Sequence, residues 1–294
     1  MSIAVSAKVN LALRVAGRRD DGFHEVASLL ASVSLRDRLA AYPQAAGLDL
    51  LVRPPTVAAG PENLVVRAAM CLCEAAGWPT ASAPGVRLVL GKRIPVAAGL
   101  AGGSADAAGT LRLLNRLWGL HWSDDRLMAL AATLGSDVPF QLRGGAALAS
   151  GRGERLSFLP VATRPLWLVL AGPAAGVAAA AAYAAWDRQG GQAGSTDFEA
   201  LAAAVVQGDA AGVAAHLGND LQAPVEAMCP PVAELISGLR EAGALGAVMT
   251  GSGPWVLGVC RDRQHARDVA SALHLPSGGR RLLVRTMGSG YLWT

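Results

Sequence analysis

The stretch Ile94-Pro-Val-Ala-Ala-Gly-Leu-Ala-Gly-Gly-Ser-Ala-Asp-Ala-Ala-Gly109 has the residue types needed to hold phosphate. It follows a short apolar run, Val86 to Leu90, and leads into helical spacing from Ser104 to Trp118. Small side chains let a backbone come close to an anion. A helix start adds unpaired N–H groups and the positive end of the helix dipole. The plainer alternative is a tight turn closed by Ser104 as an N-cap. Familiar phosphate loops differ. Lys92 precedes the glycines and no Gly-Lys-Ser/Thr follows them, which excludes a Walker loop. A dinucleotide fingerprint needs G-x-G-x-x-G and an acid ending the next strand.

Polar residues elsewhere stand in patterned surroundings. Lys8 and Asn10 share one face of a strand over Val5–Val15, opposite Val9, Leu11, Leu13 and Val15. By itself such a pair marks a solvated face. Gly17-Arg-Arg-Asp-Asp-Gly22 reads as a turn into a second strand, with Phe23 and His24 at the hairpin rim or, for Phe23, in its core. Asp137 lies in Gly135-Ser-Asp-Val-Pro139, where an N-cap is the simple reading. Thr250-Gly-Ser-Gly-Pro254 is a glycine turn between two strands.

The elements that must position these residues follow from the chain of 294 residues, 52% hydrophobic, which is enough for two ordinary domains. Helices are expected over 62–76, 104–118 and 123–134, and strands over 87–92 and within 144–153. After Pro160 the order becomes β-α-β-β-α-β, elaborated by extra helices, which is the ferredoxin-like order. The domain boundary is placed there, giving 1–160 and 161–294. The most apolar window, Pro165 to Trp186, is interrupted by Pro173 and reads as a strand and a helix rather than a membrane span. No secretory signal is evident, and Cys71, Cys73, Cys229 and Cys260 form no CxxC, so reduced thiols in the cytoplasm are expected. The net charge of +4 suits a polyanionic small ligand. The scattered basic residues form no stripe for nucleic acid.

Lys8 with Asn10, Gly99 to Ser104 and Gly135 to Pro139, in that order, with Thr250-Gly-Ser-Gly in the second half, resemble the motifs of the GHMP small-molecule kinases across nearly the whole chain. The segment Gly17-Arg-Arg-Asp-Asp-Gly-Phe-His24 is similar to the branch whose acceptor is a cytidine diphosphate alcohol of the methylerythritol phosphate route to isoprenoid precursors. The resemblance implies an α+β, two-domain GHMP kinase fold. Its N-terminal domain is ribosomal-protein-like β/α and its C-terminal domain ferredoxin-like.

It also implies ATP-dependent phosphorylation of a hydroxyl with Mg2+, by a monomer or weak homodimer. Asp137 matches the catalytic base and Lys8 the lysine that holds it ionised and orients the acceptor hydroxyl. The run Pro95-Val96-Ala97-Ala98-Gly99-Leu100-Ala101-Gly102-Gly103-Ser104-Ala105 matches the ATP loop, with Ser104 near the β-phosphate or the metal ion. Asn63 and Lys92 fall where the family meets the adenine region. Asn10, Phe23, His24 and Tyr183 fall on the acceptor side, where an aromatic face can stack on cytosine and an imidazole can bond its edge. Asp106 reads equally as a metal ligand and as a first-turn acid, and stays outside the catalytic set.

Departures are local. Ala101 and Ala105 replace a Gly and a Ser of the family loop, and Ala171-Gly-Pro-Ala-Ala-Gly-Val lacks the family's usual Pro-Gly. A GHMP kinase for homoserine or a mevalonate derivative is the second reading. An RNA-binding protein on a related ribosomal-protein-like fold is the third, and the absence of a basic stripe argues against it.

Overall fold

The computed structural model describes residues 1–79 and 83–294. The chain opens with two long strands, β1 (Ser2–Arg18) and β2 (His24–Pro43), followed by β3 (Leu48–Arg53), α1 (Leu64–Ala75) and β4 (Val86–Gly91). Three helices come next, α2 (Gly102–Leu117), α3 (Asp124–Leu134) and α4 (Val138–Arg143), then the short strands β5 (Ala146–Ser150) and β6 (Arg155–Phe158). The second half runs β7 (Trp167–Gly172), α5 (Ala179–Arg188), α6 (Phe198–Gln207), α7 (Ala210–Ala215), β8 (Gly218–Asn219), α8 (Gln222–Met228) and α9 (Pro231–Glu241). It closes with β9 (Gly246–Met249), β10 (Val256–Cys260), α10 (Arg263–Ala272), β11 (Arg280–Arg285) and β12 (Tyr291–Trp293).

One sheet has the order β12-β1-β2-β4-β3, with β5 added beside β2, β6 beside β5 and β8 beside β1. The other has the order β11-β7-β10-β9 with antiparallel neighbours, the arrangement of a ferredoxin-like sheet. Helices α1 and α2 cover the first sheet and share its core with Leu11, Leu29, Leu39, Leu72, Leu88 and Leu111, all fully buried. Each such leucine contributes about 1.5–3 kcal/mol of burial. The same core takes in Leu168, Leu257 and Val259 of the second sheet, and β12 returns to pair with β1.

The structure differs from the sequence reading of β1. Both faces of the strand are covered, and Lys8 and Asn10 are 4% and 5% exposed, so no solvated face exists there. The β1–β2 ladder carries irregularities between Ser6 and Lys8 and between Asn10 and Ala12. Such bulges re-aim side chains, and these two flank the polar pair. Helix α2 begins at Gly102 with Ala101 as its N-cap, so Ser104 lies inside the first turn and does not cap it. Helix α4 was not anticipated, because its six residues follow a Gly-Ser-Asp turn and include Pro139. No helix among the described residues is long and apolar enough to cross a membrane.

Candidate active site

A cleft of about 710 Å³ opens among the first strands, the glycine loop, α4 and α5. At its floor Lys8 Nζ donates to Asn10 Oδ1 at 2.6 Å and to the Gly99 carbonyl at 3.4 Å, and stands 3.6 Å from Asp137 Oδ2. The lysine side chain is 5% exposed and that of Asp137 is 35% exposed, so a ligand in the cleft can reach the carboxylate. Asn10 is held from three sides. Its Nδ2 donates to Ser28 Oγ at 2.7 Å, its backbone N–H donates to Thr250 Oγ1 at 2.8 Å, and its Oδ1 is left for the lysine.

Asp137 occupies the N-cap position of α4, yet its side chain caps nothing. A cap normally accepts from the second or third helical N–H, and the second position is Pro139, which has none. The carboxylate turns to Lys8 instead. The simple N-cap reading is thereby replaced by an ion pair facing the cleft.

The glycine loop separates this cleft from a second hollow of about 430 Å³, and Gly99 and Ala101 line both. Gly99 has φ +73, and a side chain there would strike the Thr250 carbonyl. Ala101 adopts the left-handed conformation, φ 53 and ψ 36, where the family loop has glycine. That placement costs an alanine about 1–2 kcal/mol. In return the α2 N-terminus, with the N–H groups of Gly102, Gly103 and Ser104 lacking intrahelical acceptors, sits at the hollow. Pro95, Val96, Ala97 and Ala98 line the same wall, while Leu100 and Ala105 are buried behind it.

Two residues assigned to the adenine region also line this hollow, with their polar atoms engaged inside the protein. Asn63 caps α1 through Val65 N–H at 2.9 Å and donates to the Ala58 carbonyl at 2.7 Å. Lys92 Nζ donates to Asp37 Oδ2 at 2.5 Å and Asp106 Oδ2 at 2.8 Å. Asp37 Oδ1 in turn accepts from the Ile94 N–H at 2.9 Å and from the Arg93 N–H. Burial works against the charge on Lys92, but Asp106 and Asp37 raise it above the usual lysine value. Burial pushes Asp106 up to about 8 against the pull of Lys92. Its other oxygen, Oδ1, is buried without a partner.

At the far end of the cleft Phe23 is 52% exposed, which sets aside its reading as a core residue. The Arg152 guanidinium lies 4.9 Å from its ring centroid. His24 stacks on Tyr183, centroids 4.8 Å apart and planes 24° from parallel, and its Nε2 meets Asp187 Oδ1 at 2.8 Å. Tyr183 lines the cleft while it also packs on the second core. Burial, with Asp137 nearby, pushes its phenol up to about 12, so it is neutral. The sequence reading did not assign roles to Ser28, Asp37, Arg152 or Asp187. Only Asp187 left a signal, its four-residue spacing from Tyr183, which puts both on one face of α5.

Comparison with known proteins fits this geometry. The sequence matches the GHMP kinases N terminal domain over residues 63–145 and the GHMP kinases C terminal domain over 201–276. It is 50% identical over 266 residues to the 4-diphosphocytidyl-2-C-methyl-D-erythritol kinase of Pelotomaculum thermopropionicum, covering 90% of this chain and 91% of that one. The chain belongs to this kinase family. The namesake kinase of Moorella thermoacetica is 46% identical over 275 residues, 93% of this chain and 94% of that one. A crystal structure of 4-(cytidine 5'-diphospho)-2C-methyl-D-erythritol kinase superposes with a TM-score of 0.80 at 38% identity, covering 97% of this chain and 99% of that one. The two-sheet α+β architecture is thus the GHMP kinase fold, and the protein is a small-molecule kinase.

Proposed function

We propose that this protein transfers the γ-phosphoryl group of ATP to a hydroxyl of 4-diphosphocytidyl-2-C-methyl-D-erythritol, giving its 2-phosphate, in the methylerythritol phosphate route. The observation that carries the reading is the position of Lys8 and Asp137. They stand together at the floor of a cleft that ends in Phe23, His24 and Tyr183 and borders the glycine loop.

The acceptor hydroxyl is a weak nucleophile, so it must be placed and relieved of its proton. Asp137 takes that proton onto a carboxylate oxygen as the hydroxyl oxygen bonds the γ-phosphorus and ADP leaves. Lys8, fixed by Asn10, supplies positive charge beside the passing phosphoryl group. The free N–H groups at the start of α2 hold the ATP phosphates. Ser104, whose hydroxyl has no hydrogen bond among the described residues, is an oxygen donor suited to Mg2+, as is the orphaned Oδ1 of Asp106. When bound, the metal ion neutralises charge on the β- and γ-phosphates. Phe23 and His24 hold the cytosine ring, with Tyr183 backing the histidine.

An assay of ADP release with phosphorus NMR of the product tests the reading. ATP-dependent phosphorylation of the cytidine diphosphate alcohol, with little activity on homoserine or mevalonate, is expected. No turnover of that alcohol beside good turnover of homoserine or mevalonate would overturn it.

A further inference from the structure

Asp187 on α5 reaches across the cleft to His24 at the start of β2, with Nε2 and Oδ1 2.8 Å apart. We propose that Asp187 is a positioning residue that selects the tautomer of His24 and, through it, makes the cleft prefer cytosine to uracil. The inference rests on the cytidine reading given above.

A carboxylate only accepts hydrogen bonds, so a neutral His24 beside it carries its proton on Nε2. Nδ1 is then a bare lone pair. It has no hydrogen-bond partner among the described residues. The ring is confined and cannot readily exchange its two nitrogens. Tyr183 is stacked on it, Trp186 meets it edge-on at 5.7 Å, and the side chain is 9% exposed. Tyr183 and Asp187 sit four residues apart, so one face of α5 delivers both the stacking ring and the carboxylate to the same imidazole.

His24 lines the cleft, and a bare Nδ1 there can accept a hydrogen bond from an exocyclic amine, which cytosine carries at its 4-position. Uracil has a carbonyl oxygen there, and two acceptors then face each other. The opposite tautomer, with the proton on Nδ1, reverses this preference. Asp187 therefore matters through which nitrogen of His24 holds the proton, without itself touching the base. The second-sphere carboxylates of metal-bound histidines act by the same logic.

The test compares kcat/KM for the cytidine and uridine diphosphate forms of the same alcohol in the wild type, Asp187→Ala and Asp187→Glu. Asp187→Ala is expected to lower the cytidine-over-uridine ratio by about tenfold or more, the size of one hydrogen bond gained or lost at a recognised group. The change should lie in KM for the alcohol, with KM for ATP unmoved. Asp187→Glu keeps an acceptor and should recover part of the ratio. Nitrogen-15 NMR of the His24 imidazole should show a single Nε2–H tautomer in the wild type and a mixture in Asp187→Ala. Equal losses for both bases with an unchanged tautomer would overturn the inference and leave Asp187 a packing contact. A wild type that turns over neither nucleotide alcohol yet shows the Nε2–H tautomer would defeat the substrate reading instead, so the two failures are distinguishable.

Discussion

Gly99 packs so closely on Thr250 that a Cβ on Gly99 would stand 2.3 Å from the Thr250 carbonyl oxygen. Gly251 answers from the other side, where a Cβ would stand 2.7 Å from the Gly99 carbonyl. The glycines of two motifs distant in sequence thus exist for each other as much as for a ligand. The contact locks the glycine loop of the first half onto a turn of the second.

Gly99→Ala puts a side chain into backbone at a positive φ, and one of the two loops must move. A loss of about 1–3 kcal/mol in unfolding stability is expected, typical of overpacking. KM for ATP and KM for the acceptor should both rise, because Gly99 lines both hollows. Denaturant titration and steady-state kinetics check this, and a variant of wild-type stability and kinetics would show that the loops are not locked.

Lys92 supports the same loop from behind. Its ammonium joins Asp37 on β2 to Asp106 on α2, and Asp37 also holds the backbone at Ile94. Lys92→Met leaves Asp37 and Asp106 buried without their shared cation, a change of the kind that costs about 3–5 kcal/mol. Adding Asp106→Asn removes the carboxyl left without its cation beside Asp37 and should return part of the loss. Chemical denaturation of the three variants measures both effects. A single variant within about 0.5 kcal/mol of wild type, the range of an ordinary surface substitution, would deny the clamp its structural weight.

Phe23 stands at the opposite end of the site and is half-exposed, so its truncation leaves no cavity in the core. Phe23→Ala should raise KM for the cytidine substrate by about tenfold, the value of one base stacked on an aromatic ring, and leave KM for ATP near normal. Stability should stay within about 0.5 kcal/mol of wild type. A parallel rise in both KM values would remove Phe23 from the base pocket.

Much of this site was legible in the sequence because its chemistry is carried by local strings. The alternation around Lys8 and Asn10 put them on one strand face, and the glycine run before α2 marked the loop that lines the second hollow. What those strings could not tell is what covers them. Lys8 and Asn10 read as solvated because the groups that bury them, Thr250 and Gly99 among others, are far along the chain. Asp137 read as a helix cap because only the fold brings Lys8 to it. Asp187 bears on His24 solely through the approach of α5 to the first hairpin, and Asp37, mid-strand on β2, gives no sign of its partners at Lys92, Arg93 and Ile94. Strand β12 escaped notice because three residues hold too little pattern to set against their surroundings. Ala101 shows the reverse limit. An alanine there is compatible with an ordinary backbone or with a strained left-handed one, and the fold imposes the left-handed one.

In the proposed reaction Lys8 and Asp137 form the acceptor half of the site, with Asp137 taking the hydroxyl proton. Asp137→Asn keeps the size of the side chain and removes the base. The direct measurement is phosphoryl transfer to the cytidine diphosphate alcohol, with ATP binding followed by calorimetry on the same preparation. A fall in kcat of about 10³-fold or more with ATP affinity within a few-fold of wild type is the expected result. Near-normal turnover by Asp137→Asn would contradict the assignment and require another group to accept the proton.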